Sequence, residues 1–171
     1  MLFWFVGTAA LAVWYVFRDP RYDYRLLVVG ALLPELDVVF SLGVGMRWMH
    51  SLVFSVGLLM AVMAVTTGRK PVRRLLLGLP IGTFLHLVFD GAWATTNVFW
   101  WPFGGWSFDG ARLPEAQRGW WNVVLEVIGI GIIVWIWRRE RLVDPDRRRK
   151  VVRTGRLLLG ETSARRPGRR T

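Results

Sequence analysis

"VRRLLLGLPIGTFLHLVFDGA" (residues 72–92) is an apolar stretch that carries a histidine and an aspartate four positions apart, His86 and Asp90. Its length falls within the ~17–25 residues that a helix needs to cross ~30 Å of hydrocarbon. A helix is required because backbone N–H and C=O groups in lipid must be satisfied within the segment. The stretch therefore predicts a membrane-spanning helix that buries two ionisable side chains.

The rest of the chain also has the composition of a membrane protein. Its 171 residues are 53% hydrophobic, include 11 Trp and carry a formal net charge of +11, which is unlike an ordinary soluble domain. Charged or Gly/Pro-rich breaks separate five apolar segments, at 2–17, 26–43, 49–67, 72–92 and 121–137. The first has no basic region before it, so we expect a retained helix rather than a cleaved signal peptide. We predict an all-α, polytopic membrane helix bundle with about five transmembrane helices, located in the cell membrane.

The basic residues are distributed unevenly between the connecting segments. Twenty of the 23 Lys and Arg residues follow the first, third and fifth apolar segments, and only Arg47, Arg112 and Arg118 lie in the alternate loops. The positive-inside rule places the twenty in the cytoplasm. We therefore expect the N-terminus outside and the C-terminus in the cytoplasm.

Two further regions complete the predicted organisation around the transmembrane domain at 1–137. The Trp-rich outer loop at 93–120 is typical of an aromatic belt at the headgroup level; alternatively it is a lid to which Asn97 and Asp109 contribute. The basic cytoplasmic tail at 138–171 should attract anionic lipid, at roughly 1 kcal/mol per basic residue near the surface. Its last ten residues should be disordered. No aromatic interleaving or recognised module supports nucleic-acid binding, and the oligomeric state is open.

Counting residues from the charged helix ends assigns a depth to the polar side chains within the apolar segments. At 1.5 Å per residue, Asp37 and His86 lie about 18 Å from the cytoplasmic end and Asp90 about 24 Å. Six ionisable side chains fall in the outer half of the membrane in this way: Glu35, Asp37, His50, His86, Asp90 and Glu126. Each costs roughly 2.5–3.5 kcal/mol at a helix centre. Their convergence predicts a shared partner.

A divalent cation is the natural partner for carboxylates and imidazoles together. Zn²⁺ accepts His nitrogen and Asp or Glu oxygen, and Mn²⁺ suits a carboxylate-rich set. His86 and Asp90 share one helix face at i, i+4, so they can serve one metal ion or bridge two. The alternative is a purely structural salt-bridge or hydrogen-bond cluster, for which only Arg47 is a nearby cation.

The stretch "LLPELDVVF" (residues 32–40) needs a break in its helix. Glu35 and Asp37 would point about 200° apart on a continuous helix. Pro34 interrupts the hydrogen-bond ladder and starts a fresh turn, and broken helices at membrane depth occur where they line a cavity. We therefore predict that helix two is broken at Pro34. A faint internal repeat, aligning Arg25 with Arg74, also places Asp37 opposite His86.

Four short motifs occur in a specific order along the chain: "PELD" from Pro34, "HS" from His50, "HLVFD" from His86 and "WWPF" from Trp100. Over roughly residues 26 to 106 they resemble the YdjM-like family of predicted membrane-bound metal-dependent hydrolases. The resemblance implies metal ligation by Glu35, Asp37, His50, His86 and Asp90. Glu35 stands where the family commonly has Asp. Where the family often has a further His-Arg pair, this chain offers only Arg47, out of register.

The sequence supports two classes of function. The first is a membrane-embedded metal-dependent hydrolase acting on a lipid or phosphoester, with water as nucleophile and Glu35 or Glu126 as the proton acceptor. The chain has no Cys, and Ser51 is expected to be a helix-start hydroxyl or a donor to a ligand. The second is a non-catalytic protein that uses the same cluster for metal binding, transport or assembly. The apolar cytoplasmic halves favour a one-sided site over a transporter.

Overall fold

The computed structural model describes residues 1–19, 22–40, 47–108 and 114–157. Every regular element within these ranges is helical. The all-α prediction is therefore confirmed for the part of the chain that the structure describes.

Ten α-helices and two short 3-10 turns make up the described fold. The α-helices are α1 (Leu2–Phe17), α2 (Tyr24–Leu32), α3 (Glu35–Phe40), α4 (Leu52–Val65), α5 (Lys70–Leu76), α6 (Gly78–Asp90), α7 (Thr96–Phe99), α8 (Pro114–Gln117), α9 (Trp121–Arg139) and α10 (Pro145–Thr154). The 3-10 turns, Trp48–His50 and Ala92–Ala94, precede α4 and follow α6.

Two of the described helical segments are long and apolar enough to cross a membrane. They are Lys70–Asp90, which joins α5 to α6, and Trp121–Arg139, which is α9. Helices α1 and α4 are apolar but shorter, at 16 and 14 residues. The predicted count of five crossings, and their direction, thus goes beyond what the length and composition of the helices show.

The second apolar segment is interrupted at Pro34. The N–H of Leu36 donates to Leu33 O at 3.1 Å and the N–H of Asp37 donates to Pro34 O at 3.0 Å, so tighter i→i+3 bonds replace the α-helical ladder. Helix α2 ends at Leu32 and α3 begins at Glu35. The break predicted at Pro34 is present, and it places the two acidic residues in the first turn of a new helix.

Helices α2 and α6 form the most extensive helix pair because two glycines let their backbones meet. A Cβ on Gly82 would lie 2.2 Å from Leu27 O, and a Cβ on Gly30 would lie 2.2 Å from Leu79 O. The Thr83 hydroxyl donates to Gly30 O at 3.1 Å across the same contact. Small residues are the usual means of close helix approach in membranes. This contact fixes how α6 presents the side chains of its last turn.

Helix α1 packs in the centre of the bundle, against α2, α6 and α9. The buried core at this contact includes Ala9, Val13, Leu27 and Ala31. Many large apolar side chains on α9 remain exposed, Val123 and Val127 among them. Such a surface is expected of a helix whose solvent is lipid.

The basic segments meet at one end of the bundle. Arg74 contacts the Asp19 carboxylate, and the Arg25 guanidinium donates to Arg153 O at 3.2 Å. Helix α10 therefore lies against the start of α2, and the N–H of Tyr24 donates to Gly155 O at 2.8 Å. The predicted division of the chain at residue 137 stays a prediction. The last ten residues, expected to be disordered, lie outside the described ranges.

Candidate metal centre

His86 is held in one tautomer near the end of α6. Its Nδ1 lies 2.7 Å from Ala31 O on the neighbouring α2, and its side chain is almost completely buried. A carbonyl only accepts hydrogen bonds, so Nδ1 carries the proton and Nε2 keeps its lone pair. The ring of Phe5 packs on the imidazole at a centroid distance of 3.8 Å. Metal-binding histidines are commonly oriented by such a backbone bond on the other nitrogen.

His50 reaches the same place from the 3-10 turn that precedes α4. Ser51 fixes this turn, because its hydroxyl donates to Trp48 O at 2.6 Å and accepts from the N–H of Phe54 at 3.2 Å. The His50 ring lies 5.2 Å from the His86 ring, centroid to centroid, at 72°. The expectation that Ser51 is a helix-start hydroxyl is confirmed by this N-cap.

Asp90 is the last residue of α6 and completes the group. Its carboxylate is buried, and Oδ1 lies 3.4 Å from Nη1 of Arg118. Arg118 also contacts the backbone carbonyl of Asp90. The helix ends at Gly91, whose φ of 67° is left-handed and favours glycine.

The residues His50, His86 and Asp90 each offer one ligand atom, and these atoms lie within 4.8 Å of one another. Three buried atoms in the group, His50 Nδ1, His86 Nε2 and Asp90 Oδ2, have no hydrogen-bond partner among the described residues. Buried polar atoms are normally satisfied, and an unsatisfied one indicates a missing ion or water. Two imidazoles and one carboxylate also match the three protein ligands of many catalytic zinc sites. The group therefore fits a divalent cation.

Asp37 lies beside this group without belonging to the closest three. Its Oδ2 is 3.7 Å from His50 Nδ1 and accepts the N–H of Met49 at 2.7 Å. The Asp37 carboxylate is thus hydrogen-bonded to the same 3-10 turn that carries His50. Its role as a metal ligand stays a prediction.

Glu35 and Glu126 are engaged with the start of α1. Glu35 Oε1 lies 3.0 Å from the amino group of Met1, which also contacts Glu115 at 2.9 Å. Glu126 Oε2 accepts the N–H of Trp4 at 3.0 Å, one of the N–H groups that a helix start leaves without a backbone partner. The structure places both carboxylates at the site end of the bundle but outside the His/His/Asp group. Metal ligation by Glu35 and proton transfer by either carboxylate stay predictions.

The sequence reasoning missed Arg118 as a site residue. It follows Asp90 by 28 positions, and no spacing rule connects the two. A second arginine, Arg47, opens the turn that carries His50, and its Nη1 is buried with no partner among the described residues. The sequence indicates Arg47 as a cation near the carboxylates, whereas nothing in the spacing indicates Arg118. Of the two proposed lid residues, Asn97 is exposed and Asp109 lies outside the described ranges.

The described fold is all-helical, with two segments long and apolar enough to cross a membrane and a buried His/His/Asp group as candidate metal centre. A family model described as YdjM inner membrane protein matches residues 4–153, and the chain belongs to that family. The match confirms the family resemblance that the four motifs indicate, and it identifies the chain as a membrane protein. No curated protein and no solved structure matches the chain.

Replacing Ser51 by alanine should lower the free energy of unfolding by about 1 kcal/mol, because α4 loses its N-cap. Replacing Ser55, one helical turn further along α4, by alanine should leave the free energy of unfolding unchanged, since the buried Ser55 hydroxyl has no partner among the described residues. Thermal unfolding of the two variants in one detergent measures the difference. Equal transition temperatures would contradict the capping role of Ser51.

Proposed function

We propose that the chain is a membrane-embedded, metal-dependent hydrolase that acts on a phosphoester. One observation carries the proposal: three buried ligand atoms, from His50, His86 and Asp90, lie within 4.8 Å of one another. Burying three such groups without an ion would be expensive in a membrane. Zn²⁺ and Mn²⁺ are the cations that best suit the two imidazoles and the carboxylates nearby.

Two imidazoles and a carboxylate form a donor set that suits hydrolysis by water. When bound, a divalent cation lowers the pKa of water and polarises a phosphoryl oxygen. In the reaction an O–P bond forms from water while the ester O–P bond breaks, and the leaving alkoxide takes a proton. Glu35 or Glu126 accepts the proton that water gives up. The chain has no Cys to act as an alternative nucleophile.

The two arginines near the group support an anionic substrate. Arg118 touches Asp90, and Arg47 carries a buried guanidinium nitrogen with no partner among the described residues. A guanidinium matches the geometry of phosphate oxygens better than an ammonium does. Both arginines belong to segments that the charge pattern places outside. The substrate therefore approaches from the outer leaflet or the outer face.

The separation of charged groups along the bundle supports five crossings with the N-terminus outside. Arg74 and Arg25 lie at one end with α10. The Met1 amino group and Arg118 lie at the other end, with the candidate metal centre. A cytoplasmic location of the basic end follows the positive-inside rule. There, the exposed arginines of α10 and the rest of the tail would attract anionic lipid.

A non-catalytic metal site is the second candidate, and the burial of the group favours it. The side chains of His50, His86 and Asp90 are at most 1% exposed, as in closed structural sites. The two candidates differ in one measurable property, since only a hydrolase releases phosphate.

Release of phosphate from phosphatidic acid by the purified protein in lipid nanodiscs tests the proposal. We expect turnover that EDTA abolishes and that Zn²⁺ or Mn²⁺ restores. Glu35→Gln and Glu126→Gln identify the proton acceptor, because the correct variant loses turnover while it keeps its metal ion. A protein that binds metal but releases no phosphate, from this or related phosphoesters, would establish the non-catalytic alternative.

Replacing Arg118 by alanine should lower turnover at least tenfold and leave the metal content unchanged, because a phosphoryl oxygen loses a charge-assisted partner. Arg118→Lys should recover only part of the turnover rate, since a lysine ammonium cannot bind phosphate oxygens in the bidentate way of a planar guanidinium. The control is Arg138→Ala at the basic end, which should behave as wild type. Loss of metal in Arg118→Ala would instead show that the arginine only positions Asp90.

A further inference from the structure

An apolar groove of about 470 Å³ lies between α1, α4 and α6. We call it the α1/α4/α6 groove. Its walls include Ala12 on α1, Leu52 and Leu59 on α4, and Leu85 on α6. Its lining is almost entirely apolar, and Ser55 is its one polar residue. The groove therefore has the chemistry of a hydrocarbon-binding surface.

One end of the groove is lined by residues next in the chain to the candidate metal centre, while His50, His86 and Asp90 themselves do not line it. Leu52 follows His50 by two residues on α4, and Leu85 immediately precedes His86 on α6. From Leu52 to Leu59 the wall extends about 10 Å at 1.5 Å per residue. It runs away from the metal centre, toward the end of α1 at Phe17. A molecule lying along it would have one end beside the metal centre and the other toward the basic end of the bundle.

Ser55 marks a polar point on this otherwise apolar path. Its side chain is 4% exposed, and its hydroxyl has no hydrogen-bond partner among the described residues. A serine in a membrane helix usually bonds a carbonyl of the preceding turn. Ser55 follows the N-cap Ser51 by about one helical turn, so the unused donor lies roughly 6 Å along α4 from the turn that carries His50. It is available to a ligand that carries an acceptor just below its headgroup.

We propose that the α1/α4/α6 groove binds an acyl chain of a glycerolipid phosphoester whose phosphate lies at the metal centre and whose ester carbonyl accepts from Ser55. The inference rests on the proposed function, because it places the phosphate at the His/His/Asp group. It assigns the substrate to membrane lipids rather than to soluble phosphoesters.

Photolabelling tests the groove without requiring turnover. The wild-type protein is loaded with Zn²⁺ in phosphatidylcholine nanodiscs that contain phosphatidic acid with a diazirine in its acyl chain. After irradiation, mass spectrometry locates the label. We expect label on groove residues such as Leu59, and we expect unlabelled phosphatidic acid, but not diacylglycerol, to compete it away. EDTA should reduce the label, since the phosphate loses its anchor.

Variants identify the groove as the binding site. Ala12→Phe and Leu59→Trp narrow the groove and should each reduce the label about tenfold, because overpacking opposes entry of the acyl chain. Ser55→Ala should reduce it a fewfold at unchanged stability. The matched control is Gly131→Leu, which fills a second apolar groove of about 490 Å³ between α1 and α9. It should leave the label unchanged, because Gly131 lies outside the α1/α4/α6 groove. The fold should also be kept, since a Cβ at Gly131 meets nothing within 4 Å.

Three results would overturn the inference. Equal labelling of both grooves would show bulk lipid only. Labelling that diacylglycerol competes equally well would remove the role of the phosphate. A shift from dimer to monomer in Ala12→Phe would show that a second copy occupies the groove. Saturable groove labelling without phosphate release would support the lipid site and contradict the hydrolase proposal. Phosphate release without groove labelling would support the hydrolase proposal and contradict the lipid site.

Discussion

His86→Ala protein is expected to lose its divalent cation and all metal-dependent hydrolysis. The imidazole supplies a buried nitrogen whose tautomer is fixed by Ala31 O, and no other described side chain within reach offers an equivalent. Loss of an outer-shell partner alone costs roughly 10–100-fold in metal affinity, so loss of a direct ligand should cost more. Metal analysis of the purified protein by mass spectrometry, before and after dialysis against a dilute chelator, measures the effect.

Leu87→Ala provides the matched control for this variant. Leu87 is the next residue on α6 and is fully buried, so its truncation should cost about 2–5 kcal/mol of stability. It contributes no ligand atom, and the metal content should stay at the wild-type level. If both variants lost the metal equally, the loss would reflect disrupted packing. If neither lost it, His86 would not be a ligand.

Gly82→Leu is expected to prevent the bundle from folding. A Cβ at this position would lie 2.2 Å from Leu27 O and 2.6 Å from the backbone N of Ala31, and neither atom belongs to a side chain that can rotate away. Helices α2 and α6 would have to separate. Even Gly82→Ala should destabilise by at least the 1–3 kcal/mol typical of overpacking. The yield of monodisperse protein and the unfolding transition in detergent measure the effect.

Gly131→Ala is the control that shows whether the loss of stability in Gly82→Ala is specific to the contact between α2 and α6. Gly131 lies on α9, and a Cβ there meets nothing within 4 Å. Gly131→Ala should be neutral or stabilising by up to about 1 kcal/mol, because alanine is the better helix former. Matching losses of stability at both positions would contradict the close α2/α6 contact.

The sequence predicted the axial level of the site better than the partner of each side chain. Residue counting placed His50, His86 and Asp90 together in the outer half of the membrane, and the i, i+4 spacing put two of them on one helix face. A helix break could be predicted at Pro34 because proline has no backbone N–H to complete the helical hydrogen bonds. Depth alone, however, does not specify which way a side chain points around its helix. Glu126 lies at the expected level but faces the start of α1.

Contacts across long loops were beyond sequence reasoning for a different reason. Arg118 lies 28 positions after Asp90, and their contact depends on tertiary packing rather than on local spacing. The sequence also could not show that His86 Nε2 has no hydrogen-bond partner, because this depends on Ala31 O lying 2.7 Å from Nδ1. The close α2/α6 approach that brings Ala31 there follows from two glycines. Their spacing in the two helices becomes informative only once the pairing is known.

X-ray absorption spectroscopy of the zinc-loaded protein tests the metal centre most directly. We expect a first shell of nitrogen and oxygen at about 2.0–2.1 Å with the outer-shell scattering of two imidazoles. One imidazole contribution should disappear in His50→Ala and one in His86→Ala, to the extent that zinc still binds at high concentration. A wild-type spectrum without imidazole scattering, or one that neither substitution changes, would contradict a metal site at His50, His86 and Asp90.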